Sequence, residues 1–441
     1  MPISSASSRR QFLKHAAVAI AVPYVITSTA LGGNGRPPAS ERITMGFIGV
    51  GGQGGGHLYG GAWTYLPGGY AARNDVQVLG VCDIQRGRRE LALQRVRDAD
   101  ARKSNAASYS ACKAYVDFRE ILARPDIDAV LFGTPIHWHA MMTVMAAKAG
   151  KDVYCEKPIA LTVREGKAMY DAIRRYGRVF QAGTQQRSEY GGKYRVACEL
   201  VRNGRIGKLK TVYAYEHGGG FIWRKWFSGR PVPPEIDWDL FLGPAPWSPF
   251  NGSLDAHMFG FGGINWGQHH YDIVQWGIEG ADDTDPTELG IEDGKLTMRY
   301  PNGVVVYGAP YPDPTLGLGP NVKFVGEGGV VFVGTEGKIA VDRQQILSNP
   351  VDILKKPLGP DDKRLYYSQS HSGNFLECVR TRKKTITDID SSYRAVKLLL
   401  LGGIAEQLRR PLKWDSQREQ FINDDEANRM LSVAYRAPWR F

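Results

Sequence analysis

The chain has 441 residues, 43% of them hydrophobic and 23% charged, which is the composition of a folded protein large enough for two domains. That excludes a low-complexity or fibrous chain. The formal net charge is +11, but the basic residues alternate with acids and cluster only briefly, at Arg86-Gly-Arg88-Arg89 and Arg382-Lys383-Lys384, so specific nucleic-acid binding is not expected.

The N-terminus reads as an address. Arg9-Arg10-Gln11-Phe12-Leu13-Lys14 precede an apolar run from Ala16 to Ile26 and the small residues Ser28-Thr29-Ala30. A basic head, a short apolar core and small residues at a cut define a secretory signal over residues 1–30. The paired arginines resemble the twin-arginine signal, whose export machinery would be a partner and which carries folded proteins to the periplasm or beyond. The run is too short to span a bilayer, so no membrane-spanning segment is expected. Residues 31–41 read as a Gly/Pro linker. The five cysteines (Cys82, Cys112, Cys155, Cys198, Cys378) show no metal-type spacing, and export after folding accounts for the lack of a disulfide framework.

Ile43 to Val50 is a strand-like run leading into Gly49, Gly51 and Gly54, a G-x-G-x-x-G pattern. Such glycines permit a tight turn, let the backbone approach a pyrophosphate and let the next helix pack closely. A flexible Gly-rich loop would carry the same letters, but a second strand, Val76 to Cys82, ends in Asp83, where an acid accepts from ribose hydroxyls and repels a 2′-phosphate. That favours NAD, while Arg86, Arg88 and Arg89 keep NADP open. Asp83 lies 32 residues beyond Gly51, longer than the usual ~20, and the Gly/Tyr-rich stretch Tyr59 to Tyr70 reads as an inserted loop.

Helices over 117–123, 140–149 and 163–176 then alternate with strands over 129–133, 152–155 and 179–182, which predicts an α/β, doubly wound parallel sheet over residues 42–187. Ligands bind such sheets beyond the carboxyl ends of the strands. Three islands fall there: Thr134-Pro135-Ile136-His137-Trp138-His139, Glu156-Lys157-Pro158 and Gly183-Thr184-Gln185-Gln186-Arg187.

The Gly-rich turn, the Thr-Pro-x-His-x-His segment and Glu156-Lys157-Pro158 resemble the Gfo/Idh/MocA oxidoreductases. Gly262-Gly263-Ile264-Asn265-Trp266-Gly267-Gln268-His269-His270-Tyr271-Asp272 is similar to that family's G-G-x-x-x-D-x-x-x-H-x-x-D helix. The segments Leu412–Asp415 and Asn423–Asn428 resemble a secreted bacterial branch of it. The resemblance implies a substrate and oligomerisation domain, here 188–441, of α+β type with an open, largely antiparallel sheet whose face covers the nicotinamide and builds homo-oligomers. Short strand-like runs at 210–216, 296–300, 303–308, 322–325, 330–333 and 337–342 agree with it, and Tyr393 to Arg409 reads as a long helix packing back on the first domain.

Oxidising a sugar carbinol requires a group that takes the hydroxyl proton while hydride leaves to the nicotinamide. Lys157, at a strand end, is the first candidate as proton acceptor or polarising donor, with Glu156 orienting the ribose or the lysine. Asn265, His269, Asp272 and Trp276 share one helix face, and His269 is the second proton-transfer candidate. The family carries Asp at the position of Asn265, and an amide cannot accept a proton. The resemblance places Thr134, Pro135 and His137 beside the cofactor. Gln186, Arg187 and Asp272 are read as lining the sugar site, whereas Trp223, beside His217, either stacks on a pyranose or forms core. His137 and His139 lack a third ligand at recognisable spacing, so no metal is assigned.

The expectation is an exported oxidoreductase acting on a sugar, polyol or glycoside hydroxyl with tightly held NAD. The family's glycosidase branch lacks the lysine of Glu-Lys-Pro, so Lys157 places a redox-neutral glycosidase or epimerase second. A non-catalytic sugar or nucleotide sensor is third.

Overall fold

The computed structural model describes residues 37–61, 64–104, 111–214, 229–254, 264–278, 280, 284–320, 322–324 and 329–441. The signal and most of the linker, His217 and Trp223 lie outside the described residues.

Continuous apolar runs form a sheet covered on both faces. Strands β1 (Ile43–Ile48), β2 (Val76–Cys82), β3 (Lys113–Tyr115), β4 (Ala129–Phe132), β5 (Asp152–Cys155) and β6 (Phe180–Ala182) pair in the order β3-β2-β1-β4-β5-β6, all parallel. Ile48 pairs with both Cys82 and Phe132, Phe132 with Cys155, and Cys155 with Ala182. The register therefore brings the next residues, Gly49, Asp83, Gly133, Glu156 and Gly183, to one edge, with the change of winding direction between β1 and β4.

The helix Val163–Tyr176 starts where the sequence predicts, at a capping box in which Thr162 accepts from the Glu165 N–H and the Glu165 carboxylate accepts from the Thr162 N–H. The helix expected from Ala140 instead begins at Ile136, so the His-Trp-His island is its first turn. A 19-residue helix, Arg86–Ser104, was not expected, because its buried side is carried by the small residues Ala92, Val96 and Ala99 among charges.

The second sheet has nine strands: β7 (Leu209–Ala214), β8 (Glu288–Glu292), β9 (Lys295–Arg299), β10 (Val305–Gly308), β11 (Val330–Gly334), β12 (Lys338–Val341), β13 (Ile346–Asn349), β14 (Leu412–Asp415) and β15 (Gln420–Phe421). All its pairs are antiparallel except β7 with β10. The strand expected at 322–325 is not one: residues 322–324 are irregular, and Phe324 packs with Leu316, Val331 and Ala340. Helices Lys193–Arg202, Ile264–Gly277 and Ile389–Leu408 cover the opposite face. A Cβ at Gly277 would lie 2.4 Å from the Phe332 ring, so the small residue sets that approach.

The chain returns to the first domain after residue 370, which a single boundary at 187/188 does not capture. Phe375 and Leu376 of the helix His371–Thr381 join Phe47, Val78 and Tyr154 in one core. The Ala182 N–H donates to the Thr387 carbonyl (3.0 Å), and Thr385 Oγ1 donates to the Phe180 carbonyl (2.6 Å). The long C-terminal helix packs Tyr393 on Gly166 of the first domain, as expected. All five cysteines are buried and unbridged. Among the described residues no helix is long and apolar enough to cross a membrane.

Candidate functional site

Gly49, with φ +78°, turns the chain out of β1, and the helix Gly52–Tyr59 begins at once. A Cβ at Gly54 would stand 1.8 Å from the Gly49 carbonyl oxygen, so the glycine lets the helix N-terminus press against the strand end. The first N–H groups of that helix have no partners within it and form an anion cradle. Beside it, the buried Asp83 accepts from the N–H of Val50 (3.0 Å) and of Gln85 (2.9 Å). Burial pushes its pKa up, against these N–H groups and Arg88.

A cleft of about 370 Å³ runs from this cradle along the strand ends. Gly49, Gly51, Asp83, Thr134, Pro135, Glu156 and Lys157 line it, and so do Arg88, Trp138 and Phe241, whereas Gly54 does not. A Gly-shaped phosphate cradle, a buried acid one strand away and a cleft continuing past the switch point fit a dinucleotide.

His137 is not on that wall. Its Nε2–H donates to the Phe241 carbonyl (2.9 Å), burial lowers its pKa to about 4, and the neighbouring Trp138 lines the cleft instead. The His139 ring bridges the carbonyls of Pro158 (2.7 Å) and Thr134 (2.8 Å), tying two cleft segments together. These contacts engage both histidines, and among the described residues no three His, Cys, Asp or Glu side chains are grouped so that they could hold a metal ion.

Glu156 is buried, and its Oε1 meets His57 Nε2 (2.7 Å) and accepts from Gln185 Nε2 (3.1 Å), while Oε2 accepts from the Lys157 N–H (3.1 Å). A Cβ at Gly183 would lie 2.5 Å from that carboxylate, so the glycine makes room for it. Burial works to raise the Glu156 pKa, but His57 and Lys157 hold it below its usual value. Burial also lowers the Lys157 pKa, opposed by Glu156 and reinforced by Arg343. The Lys157–Pro158 bond is cis.

The helix Ile264–Gly277 reaches this edge through Gln268, whose Oε1 accepts from the Ile159 N–H (2.8 Å). Asn265 falls in its first turn. His269 is 3% exposed, and burial, then the charges of Lys157 and Arg343, hold its pKa well below 6.5. Its Nδ1 has no hydrogen-bond partner among the described residues. The Trp266 ring centroid lies 5.9 Å from the His269 ring, 5.8 Å from Lys157 Nζ and 4.5 Å from the Arg343 guanidinium carbon. Lys157 and His269 are thus brought together, around an indole and an arginine that the sequence reading did not single out. Arg343 belongs to no motif and lies in a strand-to-strand turn.

Three residues expected to line the sugar site are engaged elsewhere. Arg187 and Asp272 form a buried bidentate pair, Nε to Oδ2 and Nη2 to Oδ1, both 2.7 Å. Burial drives the Asp272 pKa up and the guanidinium opposes it. Gln186 is fully buried, with its Nε2 donating to Tyr194 (2.5 Å).

Residues 43–184 match a family model for an oxidoreductase family with an NAD-binding Rossmann fold, and residues 334–441 match that family's C-terminal alpha/beta domain. An alpha-N-acetylgalactosaminidase of Shewanella oneidensis is 29% identical over 227 residues, 47% of this chain and 46% of its own length, so the chain spans about half the length of the curated relatives it matches. Two solved structures share the fold. The WlbA dehydrogenase of Chromobacterium violaceum, in complex with NADH and UDP-GlcNAcA, has a TM-score of 0.53 at 15% identity over 86% of this chain and 98% of its own. The aldose-aldose oxidoreductase of Caulobacter crescentus, complexed with glycerol, has a TM-score of 0.53 at 16% identity over 84% and 99%. The first domain is an NAD-binding Rossmann domain.

Proposed function

Since the chain belongs to the Gfo/Idh/MocA oxidoreductase family, we propose that it oxidises or reduces a hydroxyl-bearing carbon of a sugar, polyol or glycoside with NAD held in the glycine cradle. One observation carries this reading: a buried histidine and a buried lysine that lines the cleft stand beside the same indole, Trp266. Bound NAD supplies a hydride acceptor. The helix after Gly51 would hold its pyrophosphate, Asp83 a ribose, and Thr134 and Pro135 the far end.

The division of labour between the two side chains follows from charge. His269 is neutral near pH 7, so it can take the hydroxyl proton. Lys157 donates a hydrogen bond to the same oxygen and stabilises the negative charge that develops there. Once protonated, His269 stands near two cations and is driven to release its proton. His57 and Gln185 fix Glu156, and through it the backbone at Lys157, so Glu156 acts as a positioning residue.

A second reading, a redox-neutral glycosidase that oxidises and restores one hydroxyl within a turnover, is favoured by the similarity to the Shewanella enzyme. Denaturing release of nucleotide from protein purified without added cofactor comes first: about one NAD(H) per chain supports a captive cofactor. Absorbance at 340 nm is then followed with free aldoses and with aryl glycosides. Hydroxyl oxidation predicts nucleotide reduction with aldoses. Aglycone release without net reduction, with deuterium taken up from D2O, would replace it with the glycosidase. His269→Ala should lower turnover roughly 10²- to 10⁴-fold and leave the nucleotide content unchanged. Retained nucleotide with no turnover of any sugar would leave only a sensor.

The reading extends to export by the twin-arginine route on the strength of Arg9, Arg10 and the apolar run after them. An N-terminal fusion to a reporter should lose export on Arg9→Lys with Arg10→Lys.

A further inference from the structure

We propose that residues 234–243 of the second domain form a strap over the adenosine half of the cofactor site, that the dinucleotide is exchanged only when the strap lifts, and that Arg436 is the positioning residue that latches it. This rests on the dinucleotide lying in the glycine cradle and not on the sugar chemistry. The strap begins beside Asp83. The Arg86 N–H donates to the Glu235 carbonyl (3.0 Å) and the Asp237 N–H to the Ile84 carbonyl (3.2 Å), so Gln85 and Ile236 face each other as an antiparallel pair. The short helix Trp238–Leu242 then crosses to the helix that follows β4. There the Trp138 Nε1–H donates to the carbonyls of Leu240 and Phe241 (both 3.1 Å), and the His137 ring meets the Phe241 carbonyl (2.9 Å). Gly243 seats the strap: a Cβ on it would lie 2.0 Å from the Trp138 ring. The cradle stands between these two anchors, because β1 lies between β2 and β4 in the sheet.

What the strap covers is apolar. Leu240, Phe241 and, further along the same segment, Leu254 line the cleft together with Ile84 and Val116. Trp238, Phe241, Leu242 and Phe250 pack into one cluster against Ile84, the residue after the ribose acid. Such a wall suits the flat face of an adenine, while the ribose and pyrophosphate take their polar contacts from Asp83 and the cradle. The C-terminal tail holds the strap from the other side. Arg436 donates from Nη1 to Asp239 Oδ1 (2.6 Å), from Nη2 to the Asp239 carbonyl (2.8 Å) and from Nε to the Gly243 carbonyl (2.9 Å). Its N–H donates to the Pro244 carbonyl (3.0 Å), and Trp439 of the same tail meets the Trp138 ring edge-on at 4.7 Å. Arg436 does not line the cleft, so it acts on the nucleotide through the strap alone. A ligand under a roof of this kind leaves no faster than the roof opens, and each hydrogen bond that must break first slows its release.

The test uses the full chain loaded with NAD and needs no sugar. The protein is mixed with an excess of isotope-labelled NAD, and mass analysis of the protein-bound nucleotide over time gives the exchange rate. Arg436→Met removes the guanidinium's hydrogen bonds to the strap and should speed exchange about tenfold or more. Gly243→Ala, which keeps the strap from seating on Trp138, should act in the same direction. The decisive variant is Gln85→Cys with Ile236→Cys. The two backbone hydrogen bonds flank this pair rather than join it, and pairs of that kind hold their Cα atoms about 4.5 Å apart, within disulfide range. The native cysteines are all buried and unbridged, so the new pair is the one that mild oxidation addresses. Oxidised after loading, this variant should exchange nucleotide about tenfold or more slowly than the same protein reduced, and reductant should restore the faster rate. Failure of the pair to bridge, or equal rates in the bridged and reduced forms, would overturn the proposal. So would unchanged exchange in both Arg436→Met and Gly243→Ala, or an unaltered protein that takes up no NAD. A disulfide that traps NAD in a protein inactive on every sugar would sink the oxidoreductase reading and keep the strap. Sugar oxidation with exchange indifferent to the disulfide would do the reverse.

Discussion

Removing the Asp272 carboxylate should unfold this protein more readily before it alters any sugar contact. Arg187 and Asp272 are 7% and 1% exposed at their side chains, and two 2.7 Å hydrogen bonds join them between the segment after β6 and the helix that carries His269. Asp272→Ala would strand a guanidinium in the interface between the domains. Breaking such a pair from one side costs about 3–5 kcal/mol. The lower half of that range applies here, because Arg187 keeps the Ile386 carbonyl (3.3 Å), the residue 272 carbonyl (3.4 Å) and the Trp276 ring, 4.8 Å from its guanidinium carbon. For a chain of 441 residues, melting as one unit, each kcal/mol moves the midpoint by about 1 °C. Calorimetric melting should therefore fall by roughly 3 °C or more in Asp272→Ala. The double replacement Arg187→Met with Asp272→Leu should recover most of it, since an apolar pair of similar volume leaves no buried charge. A single variant that melts with the unaltered protein yet loses substrate affinity would refute this reasoning and return both residues to the sugar site.

Gly54→Ala should lose bound nucleotide, since its Cβ would fall 1.8 Å from the Gly49 carbonyl oxygen, while Gly52→Ala, with nothing within 4 Å, should keep it; mass analysis of released nucleotide decides. Asp83→Ser should weaken NAD and narrow its advantage over NADP about tenfold or more, because Arg88 remains in the cleft, and fluorescence titration with both nucleotides measures this. His137 has a folded pKa of about 4 against an ordinary 6.5, so the stability it contributes is complete above pH 6.5 and is lost as the pH falls towards 4, up to about 3 kcal/mol. Glu165, pushed up to about 7 by burial, works in the opposite sense over the same range. The informative quantity is therefore the difference between the protein and His137→Gln, whose melting gap should shrink by about 2–3 °C from pH 8 to pH 5. An unchanged gap would show that the ring is not buried in its neutral form.

How much of this was legible follows from the range of the interactions. Five strands of the first sheet could be read because both faces are buried, so each is an apolar run closed by a turn residue, and the parallel register then carries Gly49, Asp83 and Glu156 to one edge, whereas the short, largely exposed edge strand β3 carries no such run and was missed. The cradle needed nothing beyond sequence neighbours. The start of the helix Ile136–Lys148 was missed because its first turn is aromatic and imidazole rather than aliphatic, and the four-residue error exchanged His137 for Trp138 on the cleft wall. Arg187 and Asp272 stand 85 residues apart, and opposite charges on two site-like segments read equally well as two sugar ligands or as one ion pair. Only the packing of the helix Ile264–Gly277 on the segment after β6 separates these. Arg343 was beyond reach for the same reason. Its neighbours Lys157, Tyr190 and Trp266 come from three other parts of the chain, and no local pattern marks a turn arginine that closes on them. In this fold the cofactor end is written in short-range spacing, whereas the substrate end is assembled from long-range contacts.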